Sequence, residues 1–175
     1  MKRELVLDRS RIVDFFDIQW SGLYSRCGGL VMRISMKVDY GVRALVELAQ
    51  HGLTTPLQAA TIATRQGIPE AYLDQVLTTL NKAGVISSRR GPQGGHLLAM
   101  DPQVIDLGWI MNVLEGKTPL LDCLVEPDGC TLSDACAQRE VWASFEDAVQ
   151  DLLRNTSIAD MVQRQRQLVE TRSTG

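Results

Sequence analysis

The sequence predicts a mainly α-helical protein with a small β-hairpin wing: a winged helix-turn-helix followed by a long dimerisation helix. Three observations support this fold class. Two short amphipathic segments are joined by a glycine-containing turn, a glycine-rich hairpin sequence follows them directly, and a long helical segment with spaced aromatic residues lies farther along the chain.

Apolar residues at helical spacing predict the helices of the first module, residues 32–100. A first helix is predicted over about 34–50. A short second helix is expected after Thr55-Pro56, a pair suited to the start of a helix. The turn RQGIP contains Gly67, which permits the left-handed conformation, and a third helix is predicted over 69–84.

A β-hairpin is predicted directly after the third helix. Its strands are expected over 85–88 and 96–100, with the segment RRGPQGG between them. The tip carries Arg89 and Arg90. Glycine lets a backbone approach a phosphate or enter a groove, and arginine supplies the charge for that approach. Such a hairpin is the wing of a winged helix.

The second module, residues 101–165, is predicted to contain a helix from Asp101-Pro102 to Gly116, a cysteine-containing loop and a long helix. Apolar residues in the long helix recur at spacings of three and four: Trp142, Phe145, Val149 and Leu152. This seam predicts a dimerisation helix, with packing inside one subunit as the alternative.

Two predictions concern the ends of the chain. Ser157 and Asp160 form a capping-box pattern before a last short helix, and a flexible tail is expected over 166–175. Residues 1–31 have poor periodicity and are expected to be a disordered or non-native extension, with Met32 as the working start. A partner-binding segment is the alternative for them.

Composition narrows the class of protein. The chain of 175 residues is 45% hydrophobic and 22% charged, and no apolar run reaches the roughly 18 residues of a membrane span. We expect a cytoplasmic protein without a membrane partner. No phosphate-binding loop and no nucleophile–base pattern is recognisable, so an enzyme is not expected.

Charge is distributed unevenly around the net value of −3. Residues 32–100 carry seven Lys/Arg and four Asp/Glu, whereas residues 101–175 carry six and thirteen. A basic half joined to an acidic half fits a DNA-binding module with a sensing or assembly module. Chance variation of surface charge is the alternative.

Three of the four cysteines lie in the turn-rich segment DCLVEPDGCTLSDAC: Cys123, Cys130 and Cys136. In a reducing compartment, clustered cysteines are more often metal ligands or redox groups than structural disulfides. Most thiolate metal sites have four ligands, and the fourth is not evident here. A disulfide-forming thiol switch and a structural zinc site are the alternatives.

Three blocks in this order resemble the Rrf-two family of winged-helix transcription regulators, whose members include IscR, NsrR and CymR: MRISMKVDYGVRAL, IPEAYLDQVLTTLNKAGVISSRRGPQGGHLLA, and VLEG before the cysteine segment. The resemblance runs from Met32 to about Gln163. It implies a homodimer that binds a palindromic operator in double-stranded DNA. We expect a repressor, although the sequence does not distinguish repression from activation.

The resemblance also implies which residues contact DNA. The residues that would begin the recognition helix in the major groove are Glu70, Ala71, Tyr72, Asp74 and Gln75. A glutamine can read adenine through two hydrogen bonds, whereas an aspartate repels phosphate unless it is paired. Arg89 and Arg90 would reach the minor groove from the wing. His96 occupies the position of the family's usual tyrosine and is expected to be a strand residue.

In IscR-like and NsrR-like members, three cysteines of this loop ligate an iron–sulfur cluster, which implies ligation by Cys123, Cys130 and Cys136. IscR-like members add a histidine where this chain has Arg139. NsrR-like members instead use a carboxylate of the partner subunit, which matches Asp39, and a [4Fe–4S] cluster is favoured over [2Fe–2S]. For Asp39, a charge favoured by the helix dipole is the alternative. For the whole site, the alternative is a cluster-free thiol-redox regulator, or a CymR-like repressor controlled by a partner.

Overall fold

The computed structural model describes residues 34–116 and 119–173. The elements follow in this order: α1 (Met36–His51), α2 (Ala59–Gln66), α3 (Glu70–Lys82), β1 (Ile86–Arg89), β2 (Gly95–Leu98), α4 (Leu107–Glu115), α5 (Asp122–Val125), α6 (Ala137–Arg154) and α7 (Ile158–Ser173). This mainly helical fold with one antiparallel hairpin confirms the predicted fold class. The extension predicted over 1–31 lies outside the described residues.

One hydrophobic core holds the first module to the last helix. Helix α1 packs against α3, α4 and α7, and Leu45, Leu73 and Ile110 are fully buried between them. Burying such a side chain contributes roughly 1.5–3 kcal/mol. Helices α1 and α4 approach so closely that a Cβ atom at Gly41 would overlap Leu114 Cδ1. The core therefore constrains α1 and α4 tightly.

Helices α2 and α3 form the helix-turn-helix, with Gly67 at a φ of 63° in the predicted turn. Helix α2 begins at Ala59 and not directly after Thr55-Pro56 as predicted. The reason is a long-range pairing: Leu57 N donates to His96 O at 3.0 Å, and His96 N donates to Leu57 O at 2.8 Å. These bonds hold the chain before α2 extended against the wing.

A buried carboxylate braces α2 against α1. Glu47 of α1 is 7% exposed. It accepts hydrogen bonds from Arg65 Nη1 at 2.8 Å and Gln66 Nε2 at 2.7 Å. Because a buried charge is tolerated only when it is paired, these two bonds fix the end of α2 on α1.

The wing is a short antiparallel hairpin in which Ile86 pairs with Leu98 and Ser88 with His96. The tip turns tightly, with Gly94 N donating to Gly91 O at 2.9 Å. A Cβ atom at Gly94 would overlap the Arg89 carbonyl oxygen, so this turn requires glycine there. The strands agree with the predicted ones within two residues.

The C-terminal half differs from the prediction at two helix ends. Helix α4 begins at Leu107 and not at Asp101, because Asp106 is its N-cap and accepts a hydrogen bond from Trp109 N at 2.8 Å. Helix α7 continues to Ser173, so residues 166–173 are helical where a flexible tail is expected. The capping box is confirmed: Ser157 N donates to Asp160 Oδ2 at 2.9 Å, and Asp160 N donates to Ser157 Oγ at 3.1 Å.

Helix α6 packs on α4 and α5. None of its 18 residues, all of which the structure describes, is buried. Across the described ranges, no helix combines the length and apolar character that crossing a membrane requires.

Candidate DNA-binding surface and cysteine site

The first two turns of α3 expose all five side chains predicted to meet DNA: Glu70, Ala71, Tyr72, Asp74 and Gln75. The opposite face of the helix is buried through Leu73, Val76, Leu77 and Leu80. Since the buried face fixes the rotation of the helix, the same packing that stabilises α3 presents these polar side chains to solvent. A helix in this setting can enter a major groove.

The ring of Tyr40 in α1 packs against the ring of Tyr72 in α3. The two rings meet edge to face, with centroids 5.5 Å apart, a geometry that favours the pair beyond simple area burial. Arg43 lies over the Tyr40 ring at 5.9 Å and donates from Nη1 to Gln66 O at 3.4 Å. Tyr40 could not be identified from the sequence, because its contact with Tyr72 joins separate helices and no local pattern marks it.

Arg89 and Arg90 are both exposed at the end of β1 and the start of the wing tip. The tip is attached to the helix-turn-helix, since Gln58 Nε2 donates to Pro92 O at 3.2 Å. The wing and α3 thus present arginine and polar side chains from one module. This arrangement can contact phosphates from the wing and base edges from the helix.

His96 joins the wing to the far end of α3. Its Nδ1 lies 3.0 Å from Ser88 Oγ, and Ser88 Oγ donates to Asn81 Oδ1 at 3.3 Å. Burial lowers the pKa of His96, and the negative charge of Asp74 partly opposes that effect. The strand position predicted for His96 is confirmed.

The three predicted cysteine ligands lie at three successive turns. Cys123 is in α5, Cys130 follows a 3₁₀ turn over Pro127–Gly129, and Cys136 is the N-cap of α6. All three are free and partly exposed. No group of three or more His, Cys, Asp or Glu side chains within the described residues is arranged to hold a metal ion.

The donor set nevertheless fits iron–sulfur chemistry. Three thiols within one short segment are free to ligate, and thiolates are the usual ligands of iron–sulfur clusters. An open cavity of about 860 Å³ between α5 and α6 is lined by Cys136, Arg139 and four carboxylate side chains. The three thiols have the chemistry that an iron–sulfur cluster requires, but within a single chain they are not arranged as a metal site.

Arg139, which stands where a histidine ligand is found in IscR-like members, has another role here. Its Nε donates to the backbone oxygen of Cys123 at 3.1 Å. The bond ties the first turn of α6 to the start of the cysteine segment. A guanidinium has no lone pair available for a metal, so Arg139 positions the segment and does not ligate.

Asp39, the ligand predicted from the partner subunit, lies in the first turn of α1. Within its own chain it forms an ion pair with Arg43, with Oδ2 and Nη2 2.9 Å apart. Both side chains are substantially exposed. An exposed pair of this kind is worth about 0–1 kcal/mol, so it does not prevent Asp39 from taking another partner.

Comparisons with known proteins agree with this architecture. The family model Rrf2, described as an iron-dependent transcriptional regulator, matches residues 34–164. The HTH-type transcriptional regulator IscR of Yersinia enterocolitica is 32% identical over 134 residues, covering 77% of this chain and 81% of the relative.

Two solved structures are also similar. CymR, the global cysteine regulator of B. subtilis, has a TM-score of 0.66 at 33% identity and covers 76% of this chain and 98% of its own. IscR of T. potens has a TM-score of 0.64 at 34% identity and covers 78% and 90%. With its family model spanning most of the sequence, this chain belongs to the Rrf2 family of transcriptional regulators.

Proposed function

We propose that this regulator binds a palindromic operator as a homodimer and holds an iron–sulfur cluster through Cys123, Cys130 and Cys136. The observation that carries the proposal is the set of three free thiols in the segment that leads into α6. The IscR relatives and the iron-dependent description of the family support it.

DNA binding would use both parts of the first module. Tyr72 and Gln75 on the exposed face of α3 meet base edges and phosphates in the major groove. Arg89 and Arg90 reach the minor groove from the wing. Asp74 faces the same surface and needs a compensating positive charge when DNA is near.

The proposed dimer forms through α6. Trp142 and Phe145 pack edge to face at 6.3 Å, and Leu152, two turns on, is 55% exposed. An amphipathic helix with no buried residue normally packs its apolar face on a partner. A second copy of α6 provides a matching apolar face, and a two-fold dimer matches a palindromic site.

The cluster would supply redox reactivity that changes with oxygen, nitric oxide or iron supply. The protein's own side chains would carry that change to DNA. Arg139 ties the Cys123 end of the segment to α6, and α6 sets the relation between the two subunits. A rearranged segment would therefore alter the distance between the two recognition helices and so the operator affinity.

The cluster is tested by purifying the protein without oxygen and measuring visible absorbance, iron and acid-labile sulfide. We expect Cys130→Ala to lose all three signals. Cys27→Ala is the matched control, because Cys27 lies outside the segment, and it should retain them. A Cys130→Ala protein with full iron and sulfide content would contradict cluster ligation by this thiol.

We propose Asp39 of the partner subunit as the fourth ligand of a [4Fe–4S] cluster. A carboxylate is a harder ligand than a thiolate and gives a more labile site. We expect Asp39→Ala to shorten the lifetime of the cluster absorbance in air. Asp151→Ala is the control, since Asp151 also forms an exposed ion pair with an arginine on its own helix. Equal lifetimes in the wild type and both variants would exclude Asp39.

The CymR structure favours a second candidate, in which the same cysteines act without a cluster. In that case two thiols would form a disulfide on oxidation, or a protein partner would control DNA binding. Protein purified without oxygen would then lack iron and sulfide in either case. Its free-thiol count per chain would fall by two on mild oxidation if a disulfide forms, and would stay unchanged if a partner controls DNA binding. These results separate the two candidates.

A further inference from the structure

A chain of side-chain hydrogen bonds connects the wing to the recognition helix. Ser88 and His96 stand opposite each other in the hairpin, and Ser88 Oγ reaches both His96 Nδ1 and Asn81 Oδ1. Asn81 and Asp74 are seven residues apart on α3, about two helical turns, so they share one face of the helix. The hairpin side chains therefore lie along the face of α3 that carries Asp74.

We assign the tautomer of His96 from this chain. With the Ser88 hydroxyl donating its one proton to Asn81 Oδ1 at 3.3 Å, the Ser88 oxygen accepts from His96, and Nδ1 carries the ring hydrogen. In the neutral ring Nε2 is the nitrogen with a free lone pair, and an added proton binds there.

The backbone of His96 is held by two hydrogen bonds. Both its N–H and its C=O are bonded to Leu57, and the residue is partly buried. His96 thus lies where the wing, the start of α2 and the face of α3 meet. Its ring contacts Ser88 through Nδ1.

Burial lowers the pKa of His96, and the negative charge of Asp74 opposes this by raising it. Ser88, Asn81 and Leu57 around the ring are uncharged, and Arg89 follows Ser88 in β1, so its side chain leaves the opposite face of the hairpin. Helix α1 also packs on β2, but among the described residues none of its ionisable groups contributes.

We propose that His96 makes DNA affinity depend on protonation: on DNA its Nε2 takes up a proton from solvent, and the resulting charge compensates the Asp74 carboxylate on the recognition helix. The inference rests on the proposed DNA binding. The phosphates of a bound duplex favour the charged ring, whereas burial in the free protein favours the neutral ring. At a pH between the two pKa values, the protein–DNA complex therefore binds up to one more proton per subunit than the free protein does.

The direction in which DNA affinity changes with pH follows from this difference in proton binding. Because the complex holds the proton more tightly, DNA affinity is highest at low pH and falls as pH rises through the pKa of His96 in the complex. If DNA raises that pKa by about one unit, affinity falls about tenfold per subunit across the range.

The test uses full-length protein and a duplex selected from a random-sequence library at neutral pH, with the dissociation constant measured by fluorescence anisotropy between about pH 6 and pH 8 at constant ionic strength. His96→Asn keeps an N–H that can donate to Ser88 but cannot be protonated. We expect this variant to lose the pH dependence. His51→Asn is the control, since His51 is exposed at the end of α1, and it should behave as the wild type does.

Two outcomes would overturn the inference directly: a wild-type affinity independent of pH, or a pH dependence kept in His96→Asn. Nitrogen-15 NMR of the imidazole in the free protein tests the hydrogen-bond chain without a variant, and a hydrogen on Nε2 of the neutral ring would contradict it. If the library yields no enriched duplex, the proposed function fails and this inference fails with it.

Discussion

The close approach of α1 and α4 at Gly41 makes a measurable prediction about stability. A Cβ atom at Gly41 would lie less than 3.0 Å from Leu114 Cδ1 and 3.5 Å from Val76 Cγ1. Leu114 is only 3% exposed, so its side chain has little space to move away. Gly41→Ala therefore overpacks the junction between α1, the recognition helix and α4.

Two effects oppose each other in this variant. Alanine in place of glycine inside a helix stabilises it by about 1 kcal/mol, whereas overpacking a core costs about 1–3 kcal/mol. We expect Gly41→Ala to lower the free energy of unfolding by roughly 0–2 kcal/mol. Leu114→Ala alone should lower it by about 2–5 kcal/mol through the cavity it leaves.

The double variant distinguishes the explanations. Once Leu114 is truncated, the overlap disappears, and adding Gly41→Ala should raise the free energy of unfolding by about 1 kcal/mol. Urea unfolding followed by far-UV circular dichroism measures all four proteins, at one protein concentration because the proposed dimerisation would contribute to stability. If Gly41→Ala changes the free energy of unfolding equally with Leu114 and with Ala at position 114, overlap with the Leu114 side chain is not the cause.

Three further outcomes are expected. Glu47→Ala should lower the free energy of unfolding in urea by about 1–3 kcal/mol, because it removes a buried acceptor of two hydrogen bonds. Arg154→Ala breaks an exposed ion pair and should lower it by less than about 1 kcal/mol. Equal losses would contradict the role of Glu47 in holding α2 on α1. Burial lowers the pKa of His96 below 6.5, against the opposing charge of Asp74. The contribution of the neutral ring to stability should therefore be complete above pH 6.5 and decline as pH falls towards the folded-state pKa. An equal decline in His96→Asn and the wild type would contradict this role of His96. Replacing Arg89 or Arg90 by alanine should weaken DNA binding. It should also reduce the slope of log affinity against log salt by about 0.9 for each phosphate that the arginine neutralises in the wild type. An unchanged slope would show that the arginine does not contact a phosphate.

The helices that face one core could be predicted from the sequence because their signals are local. The spacing of Val38, Leu45 and Val46 predicts α1 within two residues, and Gly67 predicts the turn of the helix-turn-helix. The capping box at Ser157 and Asp160 also needs only four residues of sequence. In each case the physical cause acts within about one helical turn.

The exposed face of α3 could also be predicted, since apolar residues at helical spacing determine which side chains are buried and which remain outside. The side-chain contacts that hold this face in place could not be predicted from the sequence. Tyr40 against Tyr72, and Ser88 between Asn81 and His96, join residues that lie well apart along the chain or belong to different elements. His96 of the wing, whose pKa the charge of Asp74 raises against the effect of burial, is one of these residues.

The sequence by itself determined the winged helix-turn-helix, the order of its parts and the three thiols, because periodicity, glycine positions and residue chemistry are properties of short segments. The tertiary structure decided where α2 begins, since Leu57 pairs with His96 across the module. It also decided that Arg139 holds the cysteine segment by a hydrogen bond to Cys123. Both depend on long-range contacts that form only when the core has brought distant parts of the chain together.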